Sequence, residues 1–134
     1  MISKTIPLAL CGSLLIAAPA RALPPLSENP AIVDGLIAVG LALEISEKCA
    51  ALDARSVRGL LFLNSLRTTA RKQGYTDAQI EAYVDDKAEK SLLEDKARAY
   101  LAQKGATGDA SEAYCRVGRA EISAGSQTGR LLRD

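Results

Sequence analysis

Residues 29–50 read Asn-Pro-Ala-Ile-Val-Asp-Gly-Leu-Ile-Ala-Val-Gly-Leu-Ala-Leu-Glu-Ile-Ser-Glu-Lys-Cys-Ala, and this stretch decides the fold. Asn29 followed by Pro30 is a typical helix start, because a first-turn nitrogen needs no partner within the helix. The apolar side chains that follow wrap around most of the helix surface, which predicts a buried helix ending near Ala51. Its uncharged part, the nine residues 35–43, is too short to span a membrane.

Three further helices are predicted downstream. Residues 55–73 carry a broad apolar face and end before Gly74, a common C-terminal stop. Thr76 and Gln79 form a capping box of the pattern Thr-x-x-Gln, which predicts the start of a long third helix that ends near Lys104. Residues 109–112, Asp-Ala-Ser-Glu, form a second capping box and predict the start of the last helix.

The composition supports one helical domain. Ala and Leu are abundant, whereas the 134 residues include one Phe, four Tyr and no Trp, and small or unbranched side chains favour helix. A chain of this length typically forms one domain. We therefore predict an all-α protein with a compact four-helix bundle-like domain.

The two ends of the chain differ from this helical region. Residues 1–22 carry Lys4, then an apolar run, then Ala-Arg-Ala, which is typical of a signal peptide cleaved after Ala22. A membrane anchor is the alternative, but the apolar run over residues 6–18 is short for it. Residues 23–29 are predicted to be an extended Pro-rich leader, residues 30–125 the helical domain, and residues 126–134 a flexible C-terminal tail.

Two cysteines, Cys49 and Cys115, remain after such a cleavage, since Cys11 lies within residues 1–22. In an oxidising compartment an even cysteine count indicates a disulfide, and here only one intramolecular pairing exists. The bridge would link the first and last predicted helices, which must then be neighbours. A redox or metal-binding pair is the alternative, but the spacing is not Cys-x-x-Cys and the chain has no His.

The absence of His also excludes the usual nucleophile–His arrangements of hydrolases and the commonest zinc ligand. We find no phosphate-binding loop, metal loop or nucleophile elbow, so neither an enzyme nor a cofactor is predicted. Glu44 and Glu47 lie three residues apart on one helix face and could bind a divalent cation or share a proton. The interpretation we favour is that they form the solvated edge of the first helix.

The second predicted helix is rich in arginine. Arg55, Arg58, Arg67 and Arg71 could form a basic face that binds an anionic partner, or a solvated face balanced by the acidic third helix. Removal of residues 1–22 takes away two of the 17 basic residues and none of the 16 acidic ones, leaving a net charge of −1. This near-neutral charge argues against nucleic-acid binding.

Several of these features together resemble a family of small secreted bacterial helical proteins that is classed as a domain of unknown function. The resemblance rests on the Pro-rich start, Cys49, the stretch Gly-Tyr-Thr-Asp-Ala-Gln-Ile at 74–80, and Tyr114-Cys115 followed by Gly118. It covers nearly the whole chain after residue 22. It implies a bacterial cell-envelope setting, most simply the periplasm, and brings no activity or site residues with it.

The sequence therefore predicts an exported, periplasmic or secreted, non-catalytic protein that acts as an interaction or structural module. Its expected partner is another envelope protein, and the oligomeric state is left open. An envelope stress holdase or inhibitor is the alternative function. A carboxylate-based enzyme that uses Glu44 and Glu47 is the second alternative.

Overall fold

The computed structural model describes residues 21–134, so the predicted signal peptide lies almost entirely outside the described residues. The helices are α1 (Pro30–Lys48), α2 (Ser56–Lys72), α3 (Asp77–Asp85), α4 (Lys87–Gln103), α5 (Ser111–Ala124) and α6 (Gln127–Arg130). Two short strands, β1 (Asp53–Ala54) and β2 (Leu132–Arg133), pair in an antiparallel manner. The mostly helical architecture is confirmed, but it has six helices over these residues rather than four.

Helix α1 is the centre of the fold, as its apolar sequence predicts. It packs against α2, α4, α5 and α6. Its buried residues lie on several sides of the helix and are Ile32, Val33, Gly35, Ala38, Leu41, Ala42 and Ile45. Gly35 allows α2 to approach closely, because a β-carbon there would lie 2.6 Å from the side chain of Leu66. Small residues on α1 therefore set how near its neighbours pack.

The hydrophobic core has two parts along α1. One surrounds Ile45, Leu52 and Leu101, which are almost fully buried, and includes residues of α5 and β2. The other joins the start of α1 to the second half of α2 and to α3. Phe62 packs against both parts, so the two are continuous through α2.

The predicted long third helix is interrupted at Asp86. Its start is as expected, since Thr76 Oγ1 accepts a hydrogen bond from the Gln79 amide at 3.2 Å and Gln79 Oε1 accepts one from the Thr76 amide at 2.9 Å. At Asp86 the backbone becomes extended, and its carboxylate accepts hydrogen bonds from the amides of Ala88 and Glu89. Asp86 therefore ends α3 and caps α4.

The second predicted capping box does not form. The N-cap of α5 is Ala110, which makes no side-chain hydrogen bond. The carboxylate of Asp109 instead lies 2.8 Å from Lys48 Nζ at the end of α1. This contact raises the pKa of Lys48 and lowers the pKa of Asp109, through the hydrogen bond first and the charge second. Asp109 thus forms an ion pair with Lys48 at the end of α1 and does not cap α5.

The prediction that residues 126–134 form a flexible tail is wrong. Gly125 adopts the left-handed conformation with φ +62° and ends α5, and Ser126 then caps α6 by accepting a hydrogen bond from the Gly129 amide at 3.0 Å. Leu131 and Leu132 are buried in the core. Gly125 and Ser126 thus form a tight turn between α5 and α6, and the residues that follow are helical rather than frayed.

The Pro-rich leader is also partly folded. Residues Leu26–Glu28 form a 3-10 turn, and the side chain of Leu26 is buried against α1 and α3. The hydroxyl of Tyr75 donates a hydrogen bond to the carbonyl of Pro24 at 2.7 Å. The leader is therefore attached to the domain through Pro24 and Leu26, although the side chains of residues 23–25 are exposed.

The predicted disulfide between Cys49 and Cys115 is confirmed, with the two Cα atoms 5.2 Å apart. Cys49 is the C-cap of α1 and Cys115 lies in the second turn of α5. These helices are neighbours, as the prediction requires. The bridge joins the first helix to the fifth, however, and not to the last one.

Candidate functional site

The two glutamates singled out from the sequence lie at the surface of α1. Glu44 is partly buried and Glu47 is exposed. Within residues 21–134, no group of three or more His, Cys, Asp or Glu side chains is placed to hold a metal ion. The two carboxylates thus have no third ligand beside them in that part of the chain.

The four arginines of α2 do not share one face. Arg58 and Arg67 are nine positions apart, which places them on opposite sides of a helix. Arg55 and Arg58 lie at the start of α2, together with Arg133 of β2, around a shallow depression. Arg71 is paired with Asp77, with its Nε 2.6 Å from the carboxylate. The predicted basic face therefore divides into two separate regions of charge.

A surface groove runs between α1 and α2. It has a volume of about 290 Å³ and is lined chiefly by apolar side chains, namely Val39, Leu43, Leu60, Leu63 and Leu131. Leu43 and Leu60 are more than half exposed. We call this feature the α1–α2 groove. It is open enough to receive apolar side chains from outside.

Three large apolar side chains project from the first half of α2. Val57, Leu60 and Leu61 are exposed to 74%, 64% and 65%. Spacings of three and four residues place them together on the helix surface. Scattered exposed leucines are ordinary in soluble proteins, whereas a cluster of this kind is typical of an interaction site. We call these three residues the α2 patch.

The α2 patch corrects the expectation that α2 would bury a broad apolar face. Only Leu66 and Ala70 of this helix are buried. The other apolar side chains of its first half, Val57, Leu60 and Leu61, are left exposed by the rest of residues 21–134. Periodicity locates the apolar residues of a helix, but it does not say whether a neighbour covers them.

Positive charge borders the α2 patch. Arg55 and Arg58 lie beside Val57 and Leu61 around the shallow depression, and Arg133 completes its edge. Arg133 is 3.6 Å from Asp53, and both side chains are largely exposed, so this pair is weak. Arg58 contacts the carbonyl of Arg130 at 3.4 Å. The guanidinium groups of Arg55, Arg58 and Arg133 therefore lie at the border of the α2 patch.

A buried polar cluster, which sequence reasoning missed, lies on another side of the molecule. The carboxylate of Glu121 is 8% exposed and accepts hydrogen bonds from the hydroxyls of Tyr100 and Ser126. Burial, followed by the Glu121 carboxylate, raises the pKa of Tyr100 to about 12. The cluster ties α4, α5 and α6 together. In the sequence, this cluster is indicated only by the position of Glu121 near the apolar residues Val117 and Ile122.

No helix of residues 21–134 has the length and apolar character needed to cross a membrane.

No curated protein and no solved structure matches the chain. A family model does match, over residues 24–133, which is most of the chain. Its match includes both bridged cysteines, the α1–α2 groove and the α2 patch. The chain therefore belongs to a family of unknown function, DUF5333.

Proposed function

We propose that this protein is a non-catalytic interaction module that binds another protein of the cell envelope through the α2 patch and the α1–α2 groove. The observation that carries the proposal is the exposure of Val57, Leu60 and Leu61 beside an open apolar groove. Burying such side chains against a partner contributes roughly 25 cal/mol per Å² of apolar area, before the costs of association.

The chemistry of the surface specifies the partner. A groove between two helices, with apolar side chains at helical spacing along one wall, suits an amphipathic helix of the partner. The Arg55, Arg58 and Arg133 side chains beside it favour acidic residues on that helix. The proposed partner segment is therefore an acidic amphipathic helix.

The proposed location is the periplasm or another compartment outside the cytoplasm. Residues 1–22 have the charge and apolar pattern of a signal peptide. The disulfide between Cys49 and Cys115 is compatible with an oxidising compartment. Export brings the α2 patch into the compartment where envelope partners reside.

The test is cross-linking in intact cells followed by purification of the tagged protein. We compare the wild type with a variant that carries Leu60→Gln and Leu61→Gln. A matched control is Leu92→Gln on α4, because Leu92 is also exposed, to 55%, but lies outside the patch. All three proteins should keep their stability within about 0.5 kcal/mol, since the altered side chains are at the surface.

The expected result is one reproducible partner captured by the wild type and by Leu92→Gln, and lost in the double variant. An Arg58→Glu variant should capture less of it, because it reverses charge at the border. Equal capture by the wild type and the double variant would show that the α2 patch is not the binding surface.

The exposed patch also favours the second function, an envelope stress holdase, because holdases bind unfolded chains through exposed apolar surface. The wild type would then suppress the aggregation of several unrelated clients in acid, and the double variant would not. Suppression of none of them by the wild type removes this alternative.

The third candidate, a carboxylate-based enzyme, has less support. Glu44 and Glu47 lie at the outer surface of α1, and neither lines the α1–α2 groove. Paired catalytic carboxylates usually converge on a concave site. We therefore propose that Glu44 and Glu47 serve only to keep the outer surface of α1 hydrated.

A further inference from the structure

A second apolar space lies deeper in the molecule, under the leader. It is a cavity of about 200 Å³ lined by residues of the 3-10 turn, α1, α2 and α3. Its walls are almost entirely aliphatic and include Leu26, Ile32, Leu36, Leu66, Ala70 and Ile80. Protein interiors are close-packed, so an apolar space of this size is unusual in so small a domain.

The volume of the cavity sets the size of a ligand. An apolar cavity of about 150 Å³ stays dry and takes up a benzene ring, which has six carbon atoms. At the same packing, about 200 Å³ accommodates about eight carbon atoms. The space opens to the surface, since Val84 in its wall is 55% exposed, and an alkyl chain can enter it from outside.

Few polar side chains line the cavity. Asn64 and Arg67 of α2 and Tyr83 of α3 are the lining residues with polar side chains. Arg67 forms no ion pair with the carboxylates of residues 21–134, unlike Arg71 one turn later, which is bound to Asp77. A guanidinium in the wall of an apolar space, without an ion-pair partner among these residues, is suited to bind a carboxylate in a bidentate manner.

Tyr83 lines the cavity and also a neighbouring cleft that contains an acidic group. Glu89 lines a separate cleft with the leader residues Pro24 and Pro25, and Tyr83 stands between this cleft and the cavity. Burial of the ring, followed by the charge of Glu89, raises the pKa of Tyr83. The phenol is neutral near pH 7 and is a second hydrogen-bond donor among the residues that line the cavity.

We propose that this cavity binds a single-chain aliphatic carboxylate of about eight carbons, with its alkyl chain among the leucines and its carboxylate on Arg67. This goes beyond the proposed protein interaction and uses other residues. Leu63 alone lines both the cavity and the α1–α2 groove, while Arg67, Ala70 and Ile80 belong to the cavity and not to the groove. The two sites can therefore be tested separately.

The experiment is calorimetric titration of the purified protein, free of residues 1–22, with octanoate and with 1-octanol. The two probes share the chain length and differ in the charged head. We expect saturable binding of octanoate, and binding of octanol that is weaker by about tenfold or more, the usual effect of one charge-assisted contact. Chemical shifts of the Ala70 and Ile80 methyl groups should change with octanoate.

The key variant is Arg67→Gln, with Arg58→Gln as the matched control on the same helix. Arg67→Gln should bind both probes with the same low affinity, because it removes the charge and keeps the aliphatic walls. Arg58→Gln should bind octanoate like the wild type, although it weakens capture of the protein partner.

Three results would overturn the proposal: no saturable binding of octanoate by the folded wild type, equal affinity of the wild type for both probes, or unchanged octanoate binding in Arg67→Gln. Shifts at Val57 and Leu61 in place of Ala70 and Ile80 would assign the binding to the α2 patch and overturn it as well. None of these outcomes bears on partner capture, which is measured with Leu60→Gln and Leu61→Gln.

Discussion

The main chain of Gly129 lies so close to the backbone carbonyl of Glu121 that a β-carbon at Gly129 would overlap it. Helices α5 and α6 thus cross at direct contact of their backbones, and no side chain can move aside to relieve the overlap. Gly129→Ala should therefore destabilise the protein by about 1–3 kcal/mol. Urea denaturation measures the free energy of unfolding.

Gly59→Ala is the matched control, because a β-carbon at Gly59 meets nothing within 4 Å and the residue lies inside α2. This change should stabilise the protein by about 0.5–1 kcal/mol through helix propensity. Equal effects of the two substitutions would show that α6 does not pack against α5 in this way.

The disulfide is the second testable feature. Cys49 and Cys115 are separated by 66 residues, and a loop of that length corresponds to about 4 kcal/mol in the chain-entropy model. Replacing both residues by Ala should lower the free energy of unfolding by about 2–4 kcal/mol, with the lower values if the unfolded chain stays compact. Reductant should destabilise the wild type and leave the double variant unchanged. A wild type that is indifferent to reductant would contradict the bridge.

Tyr100 gives a prediction for alkaline pH. Its folded-state pKa of about 12 lies above the usual tyrosine value of 10.0, so the folded protein holds this proton more tightly than the unfolded chain does. The resulting stability is complete below pH 10 and is lost as the pH rises toward 12. Tyr100→Phe should remove a step near pH 12 from the tyrosinate absorbance titration. The step would persist if another tyrosine were its source.

The carboxylate of Glu121 is the fourth test. In Glu121→Gln one of the two acceptor oxygens becomes an NH2 group, which is a donor and cannot accept from the hydroxyl of Tyr100 or Ser126 that it faces. We expect a loss of about 1–3 kcal/mol, the usual cost of leaving a buried polar group without its partner. Hydrogen exchange of the amides in α6 and β2 should accelerate more than exchange in α1.

Glu94→Gln is the control for this substitution, because Glu94 is half exposed and lies 3.7 Å from Arg98 in a surface ion pair. Its effect should be below about 1 kcal/mol. Similar losses in the two variants would mean that Glu121 contributes no more than a surface charge.

Local chemistry in the sequence was sufficient to predict part of this fold. The Asn29-Pro30 start, the capping box of Thr76 and Gln79, and the apolar wrap of α1 depend on neighbouring residues only, and all three are as predicted. The cysteine pairing followed from counting, because two cysteines allow one bridge.

The errors arose where a local pattern competes with a distant contact. Asp109 has the spacing of a capping residue, but Lys48 at the end of α1 binds its carboxylate instead. Residues 126–134 have a turn-like composition, yet Leu131 and Leu132 fill space beside Ile45. Which contact a residue makes here depends on the helices and strands that are neighbours in the tertiary structure. Local sequence patterns do not reveal these neighbours.

The candidate sites were predictable only in outline. Arg55 and Arg58 were among the arginines singled out, and they do border an apolar surface. That surface was expected to be core, because an apolar face looks the same in sequence whether it is covered or not. The cavity beside Arg67 arises from the packing of three helices and the leader, and no motif in the sequence marks it.

The pairing of Asp53 with Arg133 has a consequence for how the chain is made. Since β2 and the neighbouring leucines complete the core around Ile45, a nascent chain cannot close that core until residue 132 has emerged from the ribosome or from a translocation pore. Contacts this distant in sequence form late. The growing polypeptide therefore stays open and threadable until residues 131–133 arrive, and only then can the core around Ile45 close.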